Sequence, residues 1–168
     1  MKNLTLATLL IFSCATAWSA DFDKGVSAYQ TGNYKAALAE WRPLAQSGSA
    51  RAQNFLGFMY DNGEGVLEDD IEAVKWYRLA AEQGSAKAQY GLGVMFANGE
   101  GVAQSNVYSH MWWNISAANG DRQAKENKAI IASQMTAQEL ANAKTLARAC
   151  VSKSYKNCYK RKSSTRTK

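Results

Sequence analysis

The chain has 168 residues, of which 46% are hydrophobic, with twelve glycines and a single proline. This composition favours helices separated by glycine turns over a strand-rich fold. The net charge is +6, but seven of the twenty Lys and Arg residues lie after residue 152, where there is no acid. The body of the chain is therefore not basic, which argues against a nucleic-acid-binding domain, whose positive charges lie on folded elements.

Residues 1–19 have the pattern of a secretory signal peptide. Lys2 precedes an apolar run over residues 4–12, and small residues follow it. Cleavage before Trp18 and cleavage before Ala20 both fit this pattern. No later stretch is apolar for long enough to cross a membrane. We therefore expect an exported protein that is periplasmic or secreted.

Residues 21–48 are predicted to form a variant opening helix pair. Asp21 to Gln30 and Asn33 to Gln46 carry apolar side chains at helical spacing. Pro43 removes one backbone hydrogen bond, so it is expected to bend the second helix or break its last turns. Ser49 is placed to cap the next helix.

Two copies of one 36-residue unit follow, over residues 49–84 and 85–120. The segment from Gly48 to Val66 is repeated from Gly84 to Val102, and 13 of the 19 aligned positions are identical. A repeat of this length is typical of stacked helix pairs, because a single pair cannot bury its own apolar face. The sequence therefore predicts an all-α fold.

Each copy is predicted to contain a first helix, a glycine-rich loop and a second helix. The first copy places these helices from Ala50 to Asp61 and from Asp69 or Asp70 to Gln83. The second copy places them from Ala86 to Ala97 and from Ser105 to Asn119. Helical spacing predicts a buried stripe on the second helix of the first copy: Ile71, Val74, Trp76, Tyr77, Ala80 and Ala81.

Residues 121–151 are predicted to be C-terminal capping helices. One helix runs from Asp121 to Ser133, and a capping box of Thr136 and Glu139 opens a second that ends near Cys150. Residues 152–168 lack periodicity and are predicted to be a basic, disordered tail. This tail either attracts anionic surfaces such as lipid or serves as a solubilising extension.

With both copies in view, the sequence resembles the Sel-1-like repeat family, relatives of the tetratricopeptide repeats. The first copy carries the family pattern at Ala52, Leu56-Gly57, Tyr60, Gly63-Glu64-Gly65-Val66, Ala73, Trp76-Tyr77, Ala80-Ala81 and Gly84. The second carries it at Ala88, Leu92-Gly93, Gly99-Glu100-Gly101-Val102, Trp112-Trp113, Ala117-Ala118 and Gly120. Departures are Phe96 for Tyr, Asn106 for Asp, and Leu67 and Ala103 for the Pro after Gly-Val.

This resemblance implies an α-solenoid, a right-handed superhelix of about four stacked antiparallel helix pairs. It also implies a non-enzymatic adaptor in the bacterial envelope that binds another protein or peptide. The expected binding surface is the concave face made by first-helix residues that point away from the core: Arg51, Asn54, Phe58, Lys87, Tyr90 and Val94. These positions differ between the copies, which fits either a partner-binding role or tolerant solvent positions.

No catalytic, metal or cofactor site is predicted. His110 is the single histidine and lacks a second His or Cys at ligand spacing, so a surface or partly buried imidazole is expected. The acids between Glu64 and Glu72 are interpreted as helix caps. The alternative of an enzyme that binds or hydrolyses β-lactams, as in cysteine-rich relatives, lacks the cysteine pair that those relatives carry in each repeat.

Two cysteines, Cys150 and Cys158, remain after the signal is removed. In an oxidising compartment they are candidates for a disulfide. A continuous helix would hold their Cα atoms about 12 Å apart, which is too far for a bond. We therefore predict that the last helix ends and the chain turns back, so that the bond ties the tail to the helix.

Overall fold

The computed structural model describes residues 20–159 and places them in eight α-helices, with no strand in that range. The predicted signal peptide and residues 160–168 of the predicted tail lie outside the described residues. The helices are α1 (Phe22–Gln30), α2 (Tyr34–Gln46), α3 (Ala50–Asn62), α4 (Asp70–Ala81), α5 (Ala86–Asn98), α6 (Asn106–Ala118), α7 (Arg122–Ala132) and α8 (Ala137–Ser152). The predicted all-α fold is confirmed. Among the described helices, none has the length and apolar character needed to cross a membrane.

The helices pack as a stack of successive units. Within a unit α1 packs on α2, α3 on α4 and α5 on α6, and each unit also packs on the next through α2 with α3 and α4 with α5. We call α1, α3, α5 and α7 the helices A, and α2, α4, α6 and α8 the helices B. Helix α3 contacts α5, and α5 contacts α7, so the helices A form one row. Both α7 and α8 pack on α6 and close this end of the stack.

Helix A meets helix B through a glycine that lies against an aromatic ring. The pairs are Gly25 with Trp41, Gly57 with Tyr77, and Gly93 with Trp113. A Cβ on Gly57 would lie 2.6 Å from a Tyr77 ring carbon, well inside contact distance. The missing side chain therefore lets the ring lie directly on the backbone of helix A, and it fixes how closely the two helices approach.

The glycine-rich loops join one unit to the one before it. Gly65 (φ +73) lies against the backbone of Tyr34 at the start of α2, and Gly101 (φ +63) lies against Asp70 at the start of α4. A Cβ on Gly65 would be 2.9 Å from the Tyr34 carbonyl carbon. The positive φ and the close approach both require glycine, because a side chain would meet rigid backbone.

Two buried glutamines donate hydrogen bonds to carbonyl groups at the end of the preceding helix B. Gln53 Nε2 donates to the carbonyl of Ala45 at 3.0 Å, and Gln89 Nε2 donates to that of Ala81 at 3.2 Å. The carbonyls in the last turn of a helix lack partners within the helix. The Gln of the Ala-Gln pair in each repeat therefore adds a second donor to a carbonyl at the end of the preceding helix B, which also accepts from the backbone N–H of Gly48 or Gly84.

The structure corrects two local expectations on helices B. Ile71, predicted to be buried, is 50% exposed, because it lies in the first turn of α4 beside the loop of the next unit rather than over the core. Pro43 does not break α2, which continues to Gln46. Pro43 is exposed and lies in the last turn, where the lost N–H removes only one hydrogen bond.

The chain turns back after α8. Cys150 and Cys158 form a disulfide with their Cα atoms 4.9 Å apart, and Ser154, Tyr155 and Asn157 have positive φ angles. We call residues 153–159 the C-terminal strap. The Tyr155 hydroxyl lies 3.3 Å from the Asn119 amide nitrogen, and the Tyr159 ring centroid lies 4.9 Å from that of Phe96.

The expected disorder from residue 152 onward is therefore wrong for the C-terminal strap. The strap packs on the largest buried cluster of the structure through Tyr155, Cys158 and Tyr159. These contacts come from two tyrosines and a covalent bond, and they leave no periodic signal in the sequence.

Candidate protein-binding groove

The row of helices A forms one wall that is open to solvent, and a groove of about 500 Å³ crosses it from α1 to α7. We call it the concave groove. It is lined by residues of all four helices A and by one tyrosine of α4: Tyr29, Asn54, Phe55, Phe58, Asp61, Asn62, Tyr77, Lys87, Tyr90, Gly91, Val94 and Gln123.

The groove brings together five of the six residues predicted to bind a partner: Asn54, Phe58, Lys87, Tyr90 and Val94. They share it because residues three or four apart lie on one face of a helix. Arg51 is exposed but is not part of the lining. Its guanidinium carbon lies 3.9 Å from the centroid of the Phe22 ring, a cation–π contact that draws it toward α1.

The floor of the groove is aromatic. Phe58 is 40% exposed, and its ring meets that of Tyr29 edge-on with centroids 6.4 Å apart. Tyr90 is held in place, because its carbonyl accepts a hydrogen bond from Trp113 Nε1 at 3.2 Å and its hydroxyl accepts one from Asn127 at 3.3 Å. The groove therefore combines a fixed tyrosine with an apolar ring that faces solvent.

At the N-terminal ends of α3 and α5, the basic side chains are already engaged. Lys87 Nζ lies 2.9 Å from Asp121 Oδ2. Asp121 is 5% exposed and also caps α7 by accepting a hydrogen bond from the backbone N–H of Ala124 at 2.9 Å. The charge of Lys87 is therefore neutralised within the chain. We call this side of the groove its N-terminal edge.

At the C-terminal ends of the same helices, the groove carries acids. The Tyr77 hydroxyl donates a hydrogen bond to Asp61 Oδ2 at 3.2 Å. Burial raises the pKa of Asp61, as do the charges of Glu100, Asp70 and Glu68, while the bond from Tyr77 acts in the opposite direction. Burial likewise raises the pKa of Tyr77. We call this side of the groove its C-terminal edge.

Tyr29 adds a second acid contact at the C-terminal edge. Burial and a hydrogen bond to Glu64 raise the pKa of Tyr29 to about 12, so its hydroxyl stays protonated at neutral pH. Glu64 Oε2 is buried and has no hydrogen-bond partner among the described residues. The C-terminal edge therefore carries Asp61, with Glu64 next to Tyr29, and no salt bridge among the described residues involves either acid.

His110 lies outside the groove and is more buried than expected. It is 3% exposed, and its Nδ1 has no hydrogen-bond partner among residues 20–159. It occupies the helix B position that Val74 fills in the previous unit, which faces the core. Burial lowers the pKa of His110, and the charges of Lys128 and Lys144 lower it further. No cluster of three or more metal-ligating side chains is present in the part of the chain that the structure describes.

A larger depression of about 620 Å³ lies outside the concave groove, and Phe96 of α5 forms part of its wall. It is formed by Ile71, the loop from Gly99 to Ser105, Tyr108 and Tyr159 of the C-terminal strap. Sequence reasoning did not predict it, because it depends on how the strap meets the loop. Much of its wall is the glycine loop that joins two units.

Several groove residues were missed from the sequence. Asp61 continues the spacing of Arg51, Asn54 and Phe58 by one more helical turn, so a longer periodicity would have found it. Tyr29 belongs to the opening unit, which lacks the repeat pattern. Gln123 belongs to the last helix A, which shares only a few repeat residues.

The fold defines an α-solenoid of stacked helical repeats, with the concave groove on its row of helices A. Residues 50–85 and 86–121 match the model of the Sel1 repeat, so these two units are Sel1 repeats and the predicted family is confirmed. Sel1 repeat proteins are generally scaffolds for protein–protein interaction and are typically non-catalytic.

Two solved structures are similar to the chain. One is c5321, a protective antigen present in uropathogenic Escherichia coli strains that displays an SLR fold; it is 28% identical with a TM-score of 0.73, over 86% of this chain and 33% of that one. The other is a Sel1 repeat protein from Oxalobacter formigenes, 30% identical with a TM-score of 0.63, over 66% of this chain and 46% of that one. The chain thus spans a third of the first and less than half of the second. None of the curated proteins matches the sequence.

Proposed function

We propose that the chain is a non-enzymatic interaction module of the bacterial envelope that binds a partner protein or peptide in the concave groove. The groove carries this proposal, because residues of all four helices A line it as one continuous surface. Its exposed Phe58 and half-buried Tyr90 are of the residue types enriched at protein interfaces.

Export is part of the same proposal. The pattern of residues 1–19 is that of a signal peptide, and a disulfide such as that of Cys150 with Cys158 is typical of oxidising compartments. Intact mass spectrometry of the protein from the periplasm and the medium is expected to find a chain that begins at Trp18 or Ala20. An uncleaved chain confined to the cytosol would contradict export.

Photo-crosslinking tests the groove directly. The amino acid p-benzoylphenylalanine is placed at Phe58 in cells that make the protein, and the matched control carries it at Leu67, which is 91% exposed and outside the groove. We expect a discrete crosslinked partner from position 58 alone. The same products from both positions would argue against the groove.

A double variant gives an independent measurement. Phe58→Ser with Val94→Ser removes apolar groove surface from side chains that are partly exposed, and thermal unfolding checks that the variant is still folded at the temperature of the assay. Capture of the crosslinked partner should fall by more than about tenfold, a loss of about 1.4 kcal/mol. Leu67→Ser should leave capture unchanged. Equal capture by all three proteins would count against the proposal.

A further inference from the structure

The two edges of the concave groove differ in charge. Arg51 and Lys87 lie in the first turns of α3 and α5, at the N-terminal edge. Asp61 lies in the last turn of α3, and Glu64 and Glu100 follow α3 and α5 in the glycine loops. At each edge the helix dipoles have the same sign as the side chains, because the N-terminus of a helix is its positive end and the C-terminus is its negative end.

The basic side chains at the N-terminal edge already have partners within the chain. Lys87 pairs with the buried Asp121, and the guanidinium of Arg51 lies on the Phe22 ring. A partner that brought a carboxylate to this edge would have to compete with both contacts.

The acids at the C-terminal edge have no cationic partner among the described residues. Among residues 20–159, no salt bridge involves Asp61, Glu64 or Glu100. The hydrogen-bond donors that reach Asp61 and Glu100 are neutral, namely the hydroxyl of Tyr77 and the amide of Asn98. A half-buried carboxylate next to other acids gains most from a cation, because the attraction is least screened where water is partly excluded.

Phe58 lies beside this edge on the same helix face. Residues three apart on a helix have Cβ atoms about 5–6 Å apart, so Asp61 and Phe58 present a carboxylate and an apolar ring one turn from each other. In an extended peptide, side chains on one face recur every second residue, at about 6.6 Å. One extended segment can therefore reach both.

We infer that the concave groove takes an extended segment of a partner protein that carries a Lys or Arg, paired with Asp61, and an apolar residue two positions away on Phe58. This inference rests on the proposed function and deepens it by stating the chemistry of the partner. An acidic segment is disfavoured at the same position, because its carboxylate would be repelled by Asp61 and by the acids around it.

The test uses the purified full chain and a phage-displayed library of short random linear peptides as the probe. Selected peptides are synthesised with a fluorescent label, and their affinities are measured by anisotropy. We expect selection of peptides with a Lys or Arg two positions from an aromatic or aliphatic residue. Phe58→Ser should weaken them, and Asp61→Asn, which keeps an acceptor for Tyr77, should weaken them by about tenfold or more.

A charge swap separates direct pairing from a structural effect. Asp61→Lys should weaken the basic peptide and strengthen the same peptide with Glu in place of its Lys or Arg. A change that merely disturbed the fold would not restore binding to the Glu peptide. Glu82→Lys is the matched control, because it makes the same change in charge at the end of α4, outside the groove lining.

The outcomes distinguish this inference from the proposed function. Selected peptides that lose affinity with Phe58→Ser but not with Asp61→Asn overturn the inference and leave the proposed function standing. Selected peptides that are unaffected by both variants count against both. A library that yields no peptide dependent on Asp61 also overturns the inference, whatever the crosslinking at Phe58 finds.

Discussion

The two Sel1 repeats share the residues that complete the fold and differ in those that face the concave groove. Gln53 and Gln89 make the same hydrogen bond to the preceding helix B, at 3.0 and 3.2 Å. By contrast, the position of Asp61 at the C-terminal edge of the groove is occupied by Ala97 in the second repeat. Stacking imposes the same demands on backbone groups in every unit, whereas it places no such demand on a side chain that faces solvent.

The repeats also differ in what covers them. The first repeat lies between two helix pairs. The second is covered by α7, by α8 and by the C-terminal strap, which is bound to α8 through the disulfide of Cys150 and Cys158. The helix B core position also changes, from Val74 in the first repeat to His110 in the second. Four measurements would test this comparison of the two repeats.

The largest effect is expected where the second repeat's loop meets the first. Gly101→Ala puts a Cβ onto the backbone of Asp70 at a positive φ of +63. The free energy of unfolding should fall by about 1–2 kcal/mol for the left-handed conformation and by a further 1–3 kcal/mol, roughly, for the overlap. Urea unfolding measures this loss. Gly120→Ala is the control, because its φ is +97 but no atom lies within 4 Å. Equal losses for the two variants would contradict the packing argument.

Loss of the disulfide should come next. Cys158→Ser opens a loop of eight residues, and the chain-entropy model gives a cost of about 2–3 kcal/mol. The wild-type protein should lose a similar free energy of unfolding when reductant is added, and the variant should be insensitive to it. Val151→Ser changes an exposed neighbour of the bond and should have little effect. Equal stability with and without reductant would contradict a closed disulfide.

Replacing either shared glutamine should cost the same in both repeats. Gln53→Met and Gln89→Met keep the length of the side chain but leave the carbonyls of Ala45 and Ala81 without that donor. We expect each to lose about 0.5–1.5 kcal/mol in urea unfolding, because each carbonyl keeps a backbone donor. Gln134→Met, at an exposed position, should be within about 0.5 kcal/mol of wild type. A loss confined to one repeat would contradict the equivalence of the two units.

The smallest effect is a difference in pH dependence at His110. Its pKa is lowered by burial and by Lys128 and Lys144, so the unfolded chain takes up a proton at about pH 6.5 while folded His110 is still neutral. The contribution of neutral His110 is therefore full above about pH 6.5 and is lost as the pH falls toward the lowered folded value.

His110→Val introduces the residue of the first repeat and removes this titration. Its cavity cost should not depend on pH, so the stability difference from wild type should shrink as the solution is acidified. Urea unfolding at a series of pH values measures it. Parallel pH profiles for the two proteins would contradict a buried, neutral imidazole.

Much of the local structure could be predicted because its signals lie within one or two helical turns. Ser49 caps α3 and Ser105 caps α6 as expected, and Thr136 with Glu139 forms the predicted capping box. The groove was predicted in part, since five of its residues follow from helical spacing. Their role in binding a partner stays a prediction.

The repeat length, the all-α fold, the helix caps and the turns that need glycine could be predicted from the sequence alone, because each depends on residues close in the chain. The contacts of Arg51 with Phe22, of Lys87 with Asp121 and of the strap with Phe96 could not, and they became visible only in the folded structure. Those contacts join residues about 30 or more positions apart. They form only when the units stack, and local periodicity does not predict which side chains the stacking brings together.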